Sequence, residues 1–526
     1  MRAVFYDFAD GSLGIQYLAA VLNQAGHEAL VYYDASLSRE YVAQALPFQG
    51  VFSINRDAVC REIMALKPDL IGFSMNSFSY AENLSLIKRL KRAYPEAVVV
   101  CGGVHVTMLP QVVLKNPEIN FIVVGEGELA VARLANALSE SSLDAVQAMP
   151  PEMLPGVWNM RQGTVIDRGA GPLVTDLDTL PFPEKSPYQQ ANRVFNRVYL
   201  TAASRGCLYK CTYCDSASTM ALYRQCGANF YRVRSVENVI AELRTARERY
   251  QTRWIEFFDD VFGANLAWLR EFSSAYRKEI GLPYGIQTSP LLLDEERIRL
   301  LAESGCATLE VGLQSANEEV RGTLLNRHEK NDKVREVVTQ ARAAGIFVGL
   351  DFIVNLPGET PGHLSEILEF IRQSRPQHVY LSYLTYLPGT AILAKALQEG
   401  VVSPEDLHRI ENGEVSRNYR LPKNQRLQYK ILPYHALLGR TLPPALSRQL
   451  SRVIELPGVR AVFGLIAGPF VYLVYLWMAL FDRRGYYSRS QIARVLHSAR
   501  SVIRHKLRGG PLSVSADRIS GAPPAR

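Results

Sequence analysis

Cysteine is scarce and oddly counted, seven in 526 residues, with no framework spacing. That excludes a disulfide-stapled scaffold. No basic-then-apolar leader opens the chain; residues 1–7 (MRAVFYD) read as the start of a strand, so a reducing, cytoplasmic setting is expected. No Gly-x-Gly-x-x-Gly follows that strand, which removes the dinucleotide fingerprint. Nor does a second cysteine pair accompany the first, which argues against four-ligand structural zinc. Negative charge is short in one region only. Residues 401–526 hold 20 Lys and Arg against 7 Asp and Glu, a balance of +13 in a chain of net +8, so the first 400 residues carry −5. Charge alone would suit that tail to nucleic acid or to an anionic membrane surface; nucleic acid is not the partner expected.

What is present centres on Ser204-Arg205-Gly206-Cys207-Leu208-Tyr209-Lys210-Cys211-Thr212-Tyr213-Cys214-Asp215. Three cysteines spaced Cys-x3-Cys-x2-Cys can hold one face of a metal centre and leave a position open. A redox pair would need Cys211 and Cys214 only, leaving Cys207 without a role. Zinc remains the bland alternative to iron–sulfur. The spacing, with Tyr213 before its last cysteine, resembles the radical S-adenosylmethionine (SAM) superfamily. That resemblance implies that Cys207, Cys211 and Cys214 hold a [4Fe–4S] cluster whose fourth iron takes SAM, the source of a 5′-deoxyadenosyl radical. It also implies a low-potential electron donor such as a flavodoxin or ferredoxin.

The fold class expected is α/β. Residues 1–140 alternate strands (Ala3–Tyr6, Ala29–Tyr32, Leu70–Ser74, Ala97–Cys101, Phe121–Val124) with helices, the pattern of a doubly wound parallel sheet. Its ligand crevice lies beyond the strand carboxyl ends, where Ser74, Gly102, Gly103 and Gly125 fall. Gly102-Gly103-Val104-His105-Val106-Thr107 and Gly125-Glu126-Gly127-Glu128 resemble the cobalamin-binding domain that precedes many radical SAM domains. The resemblance implies cobalamin, with Ser74, Gly102, Gly103, Thr107, Gly125 and Glu126 as candidate contacts. The Asp-x-His-x-x-Gly that supplies a histidine beneath cobalt is missing: aligned on Gly14, the chain has Ala9 and Gly11. His105 is the one histidine near the crevice.

Residues 141–195 are rich in proline and read as a linker. Across 196–400 the strands Val198–Ala203, Trp254–Phe258, Gly285–Thr288, Thr308–Leu313, Phe347–Val354 and Val379–Tyr386 alternate with helical stretches. Six units suit a partial (β/α)6 barrel, working at its strand carboxyl ends. There the resemblance implies that Asp259 and Asp260 meet the SAM amino group, helix capping being the alternative use of an Asp. It further implies that Glu310, Gln314 and Ser315 meet ribose and carboxylate, and that Asn355 stands near adenine. Residues 401–526 read as a basic, mainly helical region. Within it 461–481 carries no charge, long enough for bilayer contact but broken by Gly468-Pro469, so burial in a hairpin is the other reading. The stretch after Gly509 reads as disordered.

The function expected is cobalamin-dependent radical SAM chemistry on a small molecule, with methyl transfer to an unactivated, lipid-like carbon favoured. Ring closure or oxidation without methyl transfer is the alternative, and a non-catalytic cobalamin and iron–sulfur sensor the third.

Overall fold

The computed structural model describes residues 1–8, 11–34, 55–191, 197–224, 229–414 and 426–466, with Arg500 and Ile503 besides. Strands β1 (Arg2–Phe8), β2 (Glu28–Asp34), β3 (Leu70–Ser74), β4 (Val99–Gly102) and β5 (Phe121–Val123) run parallel in the order 2-1-3-4-5. Their cores are continuous apolar runs because helices cover both faces. Helix α1 (Leu13–Gln24) starts on Ser12, whose hydroxyl accepts from the Ile15 N–H, and buries Ile15, Ala19 and Leu22. Helix α2 (Glu128–Glu140) lies beside it and buries Ala130, Val131, Leu134 and Ala135. The winding reverses between β1 and β3, and a crevice opens at that switch.

The sheet does not end at residue 140. β6 (Val157–Arg161) pairs antiparallel with β5, Ile122 opposite Trp158, and β7 (Thr164–Ile166) follows as a hairpin. Part of the stretch expected to be linker, 141–195, therefore belongs to the first domain. Its prolines flank these strands without interrupting them, and Val157, Trp158 and Asn159 are all buried.

β8 (Val198–Thr201) opens the second sheet. A short antiparallel pair, β9 (Ser204–Arg205) and β10 (Arg232–Val233), frames the cysteine loop. β11 (Trp254–Phe257), β12 (Tyr284–Thr288), β13 (Cys306–Gln314), β14 (Phe347–Val354) and β15 (His378–Tyr383) complete six parallel strands in strict sequence order. The last strand ends at Tyr383, three residues before the expected Tyr386. Helix α3 (Asp215–Arg224) follows the cysteines, and α4 (Pro361–Ser374) follows β14. In the C-terminal region α5 (Arg426–Thr441) lies on α4 and on the edge strand β15, adding Tyr429, Leu432 and Ala436 to the barrel core. α6 (Pro444–Ile454) rests on α5 and α4. Among the described residues no helix is long and apolar enough to cross a membrane. Only 461–466 of the uncharged run is described; its remainder and the stretch after Gly509 lie outside the described residues.

Candidate active site

The cysteine loop is held on three sides. Gly206 sits at φ 84°, and a Cβ there would lie 2.3 Å from the Phe230 carbonyl oxygen, so only glycine fits. The Thr212 N–H donates to the Leu325 carbonyl (3.2 Å) and its hydroxyl to that of Leu324 (2.6 Å), while Asn326 Nδ2 donates to the Lys210 carbonyl (2.8 Å). Beyond Thr212, its own carbonyl accepts from the Ile392 N–H (2.9 Å). All three thiols are free. Burial pushes Cys207 up to about 11 and Cys214 up to about 12, so thiolates here need positive charge beside them, which iron supplies. Arg327 adds a cation: its Nη1 lies 3.7 Å from Cys211 Sγ and donates to the Tyr213 hydroxyl at 3.4 Å, while Nη2 anchors on the Gly312 carbonyl (2.7 Å) and Nε on Glu329 (2.7 Å).

Among the described residues no group of three or more His, Cys, Asp or Glu converges as a single-ion site. A lone zinc needs its sulfurs about 2.3 Å from one point. A cubane offers each sulfur its own iron, so three thiols on one short loop can each take one.

Two acidic neighbours at the end of β11 divide their work. Asp259 is buried, accepting from the Ala203 N–H (3.0 Å) and the Ser204 hydroxyl. It ties the cysteine loop to its strand, and burial raises its carboxyl to about 6 despite those hydrogen bonds. Asp260 is exposed, accepts from the Ser216 hydroxyl (2.8 Å) and lines the cavity described below. Gln314 and Asn355 close β13 and β14 at φ 67° and 64°, a left-handed conformation unusual for side-chain-bearing residues. Ser315 is 3% exposed, and its hydroxyl accepts from the Asn317 N–H (3.3 Å), so it serves the turn. Glu310 faces Asp351 across β13 and β14; burial raises both carboxyls, and they hydrogen-bond each other.

One cavity of about 390 Å³ joins the two domains. From the first it takes Ser74, Gly102, Gly103 and the Gly125–Glu128 turn; from the second, Ser204, Arg205, Gly206, Arg234, Phe258 and Asp260. It continues down between the sheet (Phe5, Gly72, Val100, Val123) and helices α1 and α2 (Leu18, Val131) as an apolar slot. Gly72 keeps that slot open, since its Cβ would overlap the Phe5 ring at 2.4 Å. Gly103, at φ 97°, approaches the Met75 carbonyl so closely that a Cβ would lie 2.5 Å from it. Such a glycine edge above an apolar slot fits a broad ring at the mouth and a flat base in the slot.

The cavity lining does not include the three cysteines, Tyr213, Asp259, Glu310, Gln314, Ser315 or Asn355 in the second domain, and two candidates of the first domain also stand apart from it. Thr107 supports it from outside: its hydroxyl accepts from the Gly125 N–H (3.0 Å) and fixes the turn. His105 is 1% exposed, stacks on Tyr80 (4.2 Å between centroids) with Nδ1 3.0 Å from Ser77 Oγ, and burial lowers it to about 4. It packs inside the first domain and does not line the cavity, so it is no ligand to a group bound there. Glu126 lines the cavity but is engaged by Arg232 (2.7 and 2.9 Å), Arg205 (3.4 Å) and the Val174 N–H (3.0 Å). Arg205, Arg232 and Arg234 escape a motif search, although Arg205 stands two residues before Cys207. Arg205 bonds Glu128 (2.7 Å) and lies over the Tyr17 ring; Arg234 pairs with buried Glu242 (2.5 Å). The Arg205 and Arg232 pairs join the Gly125–Glu128 turn to the base of the cysteine loop, while Arg234–Glu242 lies within the second domain.

Family models find the same two regions. Residues 202–371 match the radical SAM superfamily and residues 11–135 match the B12 binding domain. The chain is a cobalamin-dependent radical SAM enzyme, and these domains imply a [4Fe–4S] cluster, SAM and cobalamin. More particular likenesses follow. The chain is 26% identical over 432 residues to cytidylyl-2-hydroxyethylphosphonate methyltransferase of Streptomyces wedmorensis, covering 75% of this chain and 79% of the relative. It is 24% identical over 373 residues to the anaerobic magnesium-protoporphyrin IX monomethyl ester cyclase of Rubrivivax gelatinosus, covering 69% and 62%. In fold it is similar to the cobalamin-dependent radical enzyme OxsB with aqua-cobalamin bound, at a TM-score of 0.63 and 13% identity, covering 97% of this chain and 80% of that one.

Proposed function

We propose that this enzyme transfers a methyl group to an unactivated carbon of a small molecule. When bound, the cluster with SAM supplies a carbon-centred radical and cobalamin supplies the methyl group. The observation that carries the reading is the single cavity reaching from Gly102 and Gly103 to Gly206 and Asp260. It lets both cofactors address one substrate position without bulk water between them. In this reading Cys207, Cys211 and Cys214 hold the cluster, and Arg327 offsets its charge at Cys211. Asp260 receives the SAM amino group, while Asp259 positions the loop. Tyr213, Glu310, Gln314 and Asn355 border SAM, with Ser315 shaping their turn. Ser74, Gly102, Gly103 and Gly125 border the corrin, with Thr107 and Glu126 holding that edge. Residues 1–140 with β6 and β7 form the cobalamin domain, 196–400 the radical SAM domain, and 401–526 a basic helical region. A flavodoxin- or ferredoxin-like donor supplies the electrons. A lipid-like substrate and membrane contact through 461–481 complete the proposal.

The similarity to the Rubrivivax cyclase favours one other reading, ring closure without methyl transfer. The two differ in stoichiometry. Methyl transfer consumes two SAM and two electrons per product, releasing one 5′-deoxyadenosine and one S-adenosylhomocysteine. The test is anaerobic reconstitution with methyl-labelled SAM and extracts of a strain lacking the gene. Equal yields of the two nucleosides, with label in a new product, support methyl transfer. 5′-Deoxyadenosine without S-adenosylhomocysteine would transfer the assignment to the cyclase-type reaction, and neither nucleoside would leave a sensor.

A further inference from the structure

Helix α6 (Pro444–Ile454) is turned inside out. Its buried positions are Ser447, Ser451 and Ile454. The two serine hydroxyls accept from the Arg372 guanidinium of α4, each at 3.2 Å. Leu446, Leu450 and Val453 share another face, at i, i+4 and i+7, and are 43%, 37% and 48% exposed. A helix serving only its own core would bury the leucines and leave the serines in water. The following helix, 457–466, repeats the arrangement: Phe463 packs on Tyr434, while Val462, Leu465 and Ile466 are exposed along one face. Scattered apolar residues on a surface need no explanation, but two successive helices with outward apolar stripes do.

We propose that the outward stripe of α6, continued by 457–466, is a docking face for an anionic lipid surface. By sequence, the chain's continuation offers no charged cover. Residues 467–481 contain no charged residue, so packing them on the stripe would cover one apolar surface and present another. A lipid interface removes both. Charge points the same way, because 401–526 carries +13, and a basic segment beside an apolar one is what an anionic leaflet retains. No described helix is long and apolar enough to cross a bilayer, so the contact proposed is with the leaflet surface. The inference rests on the membrane element of the proposed function and not on methyl transfer.

The experiment is flotation of the full chain with vesicles of phosphatidylcholine, alone or with phosphatidylglycerol, comparing wild type with the triple variant L446S/L450S/V453S. The wild type should float with the anionic vesicles and less with the neutral ones. The triple variant should lose at least tenfold in partitioning while iron content and SAM cleavage stay as in wild type. Equal flotation of the variant would overturn the face, even if 461–481 binds lipid. No flotation of the wild type would overturn membrane docking altogether. A wild-type dimer made monomeric by the triple substitution, without vesicles, would reassign the face to a second copy. A fall in melting temperature above about 5 °C would assign it to the chain's own segment.

Discussion

Asp259 and Asp260 are adjacent in sequence and opposite in use. Asp259→Ala leaves the Ala203 N–H and the Ser204 hydroxyl buried without an acceptor, at a cost of about 2–4 kcal/mol. Asp260→Ala removes a cavity-facing carboxylate and should leave the melting temperature within about 2 °C while cutting SAM cleavage at least tenfold. Melting curves and 5′-deoxyadenosine yields on both variants check the division; a destabilised Asp260 variant with full cleavage would reverse it. Glu256 supplies a pH test. Burial and the nearby Glu310 raise its carboxyl to about 7, against the Trp254 indole N–H that donates to it at 2.7 Å. The unfolded chain releases this proton first, near 4.5. Stability therefore falls as pH rises from about 4.5 to 7, by on the order of 3 kcal/mol in full effect. Glu256→Gln should flatten that part of the profile in urea melts at pH 5 and pH 8; an unchanged difference between the two would refute the assignment.

At the scale of elements, the Gly125–Glu128 turn and α3 meet at one hydroxyl. The Glu126 N–H donates to Tyr223 Oη (2.7 Å), and a Cβ on Gly125, at φ 90°, would lie 2.1 Å from the same oxygen. Gly125→Ala should cost about 2 kcal/mol or more from strain alone and weaken cobalamin retention on gel filtration. In a Tyr223→Phe background part of that loss should return, because the nearest contact relaxes to 3.0 Å at Cζ. A full loss in both backgrounds would place the strain in the backbone only. The elements themselves were legible where periodicity was strong. Leu70–Ser74 and Phe347–Val354 fall on the expected residues, since runs dominated by apolar side chains fit a sheet covered on both faces. β6 and β7 were not legible. Short antiparallel strands between prolines carry no period long enough to rise above turn signals.

For the molecule as a whole, the two sheets are joined by charge as well as by chain. Arg232 and Arg205 from the cysteine-loop frame close on Glu126 and Glu128 of the first domain. These pairs are largely buried, and the Arg232 and Arg205 charges hold Glu126 low against the opposing effect of burial. A cycle of Glu126→Gln, Arg232→Gln and the double variant should give a coupling of about 1.5–3 kcal/mol. Additive losses would mean that the Glu126–Arg232 pair contributes nothing to holding the domains together.

The sequence by itself determined the kind of chemistry. Three thiols at fixed short spacing, strand-end glycines and six alternating units are local patterns, and local patterns are set by backbone period and residue type. It determined the order of the barrel strands too, because parallel units connect to their neighbours with one hand. Only the tertiary structure decided which residues face the shared cavity. Asp259 and Asp260 differ by one position in the turn beyond β11, yet that turn buries one against Ala203 and Ser204 and presents the other to the cavity. Arg205, Arg232 and Arg327 meet partners 79, 106 and 116 positions away, a closeness that no window of sequence contains. The outward leucines of α6 belong to the same kind: their spacing announces a buried face, and only packing against Arg372 shows that the serines took it.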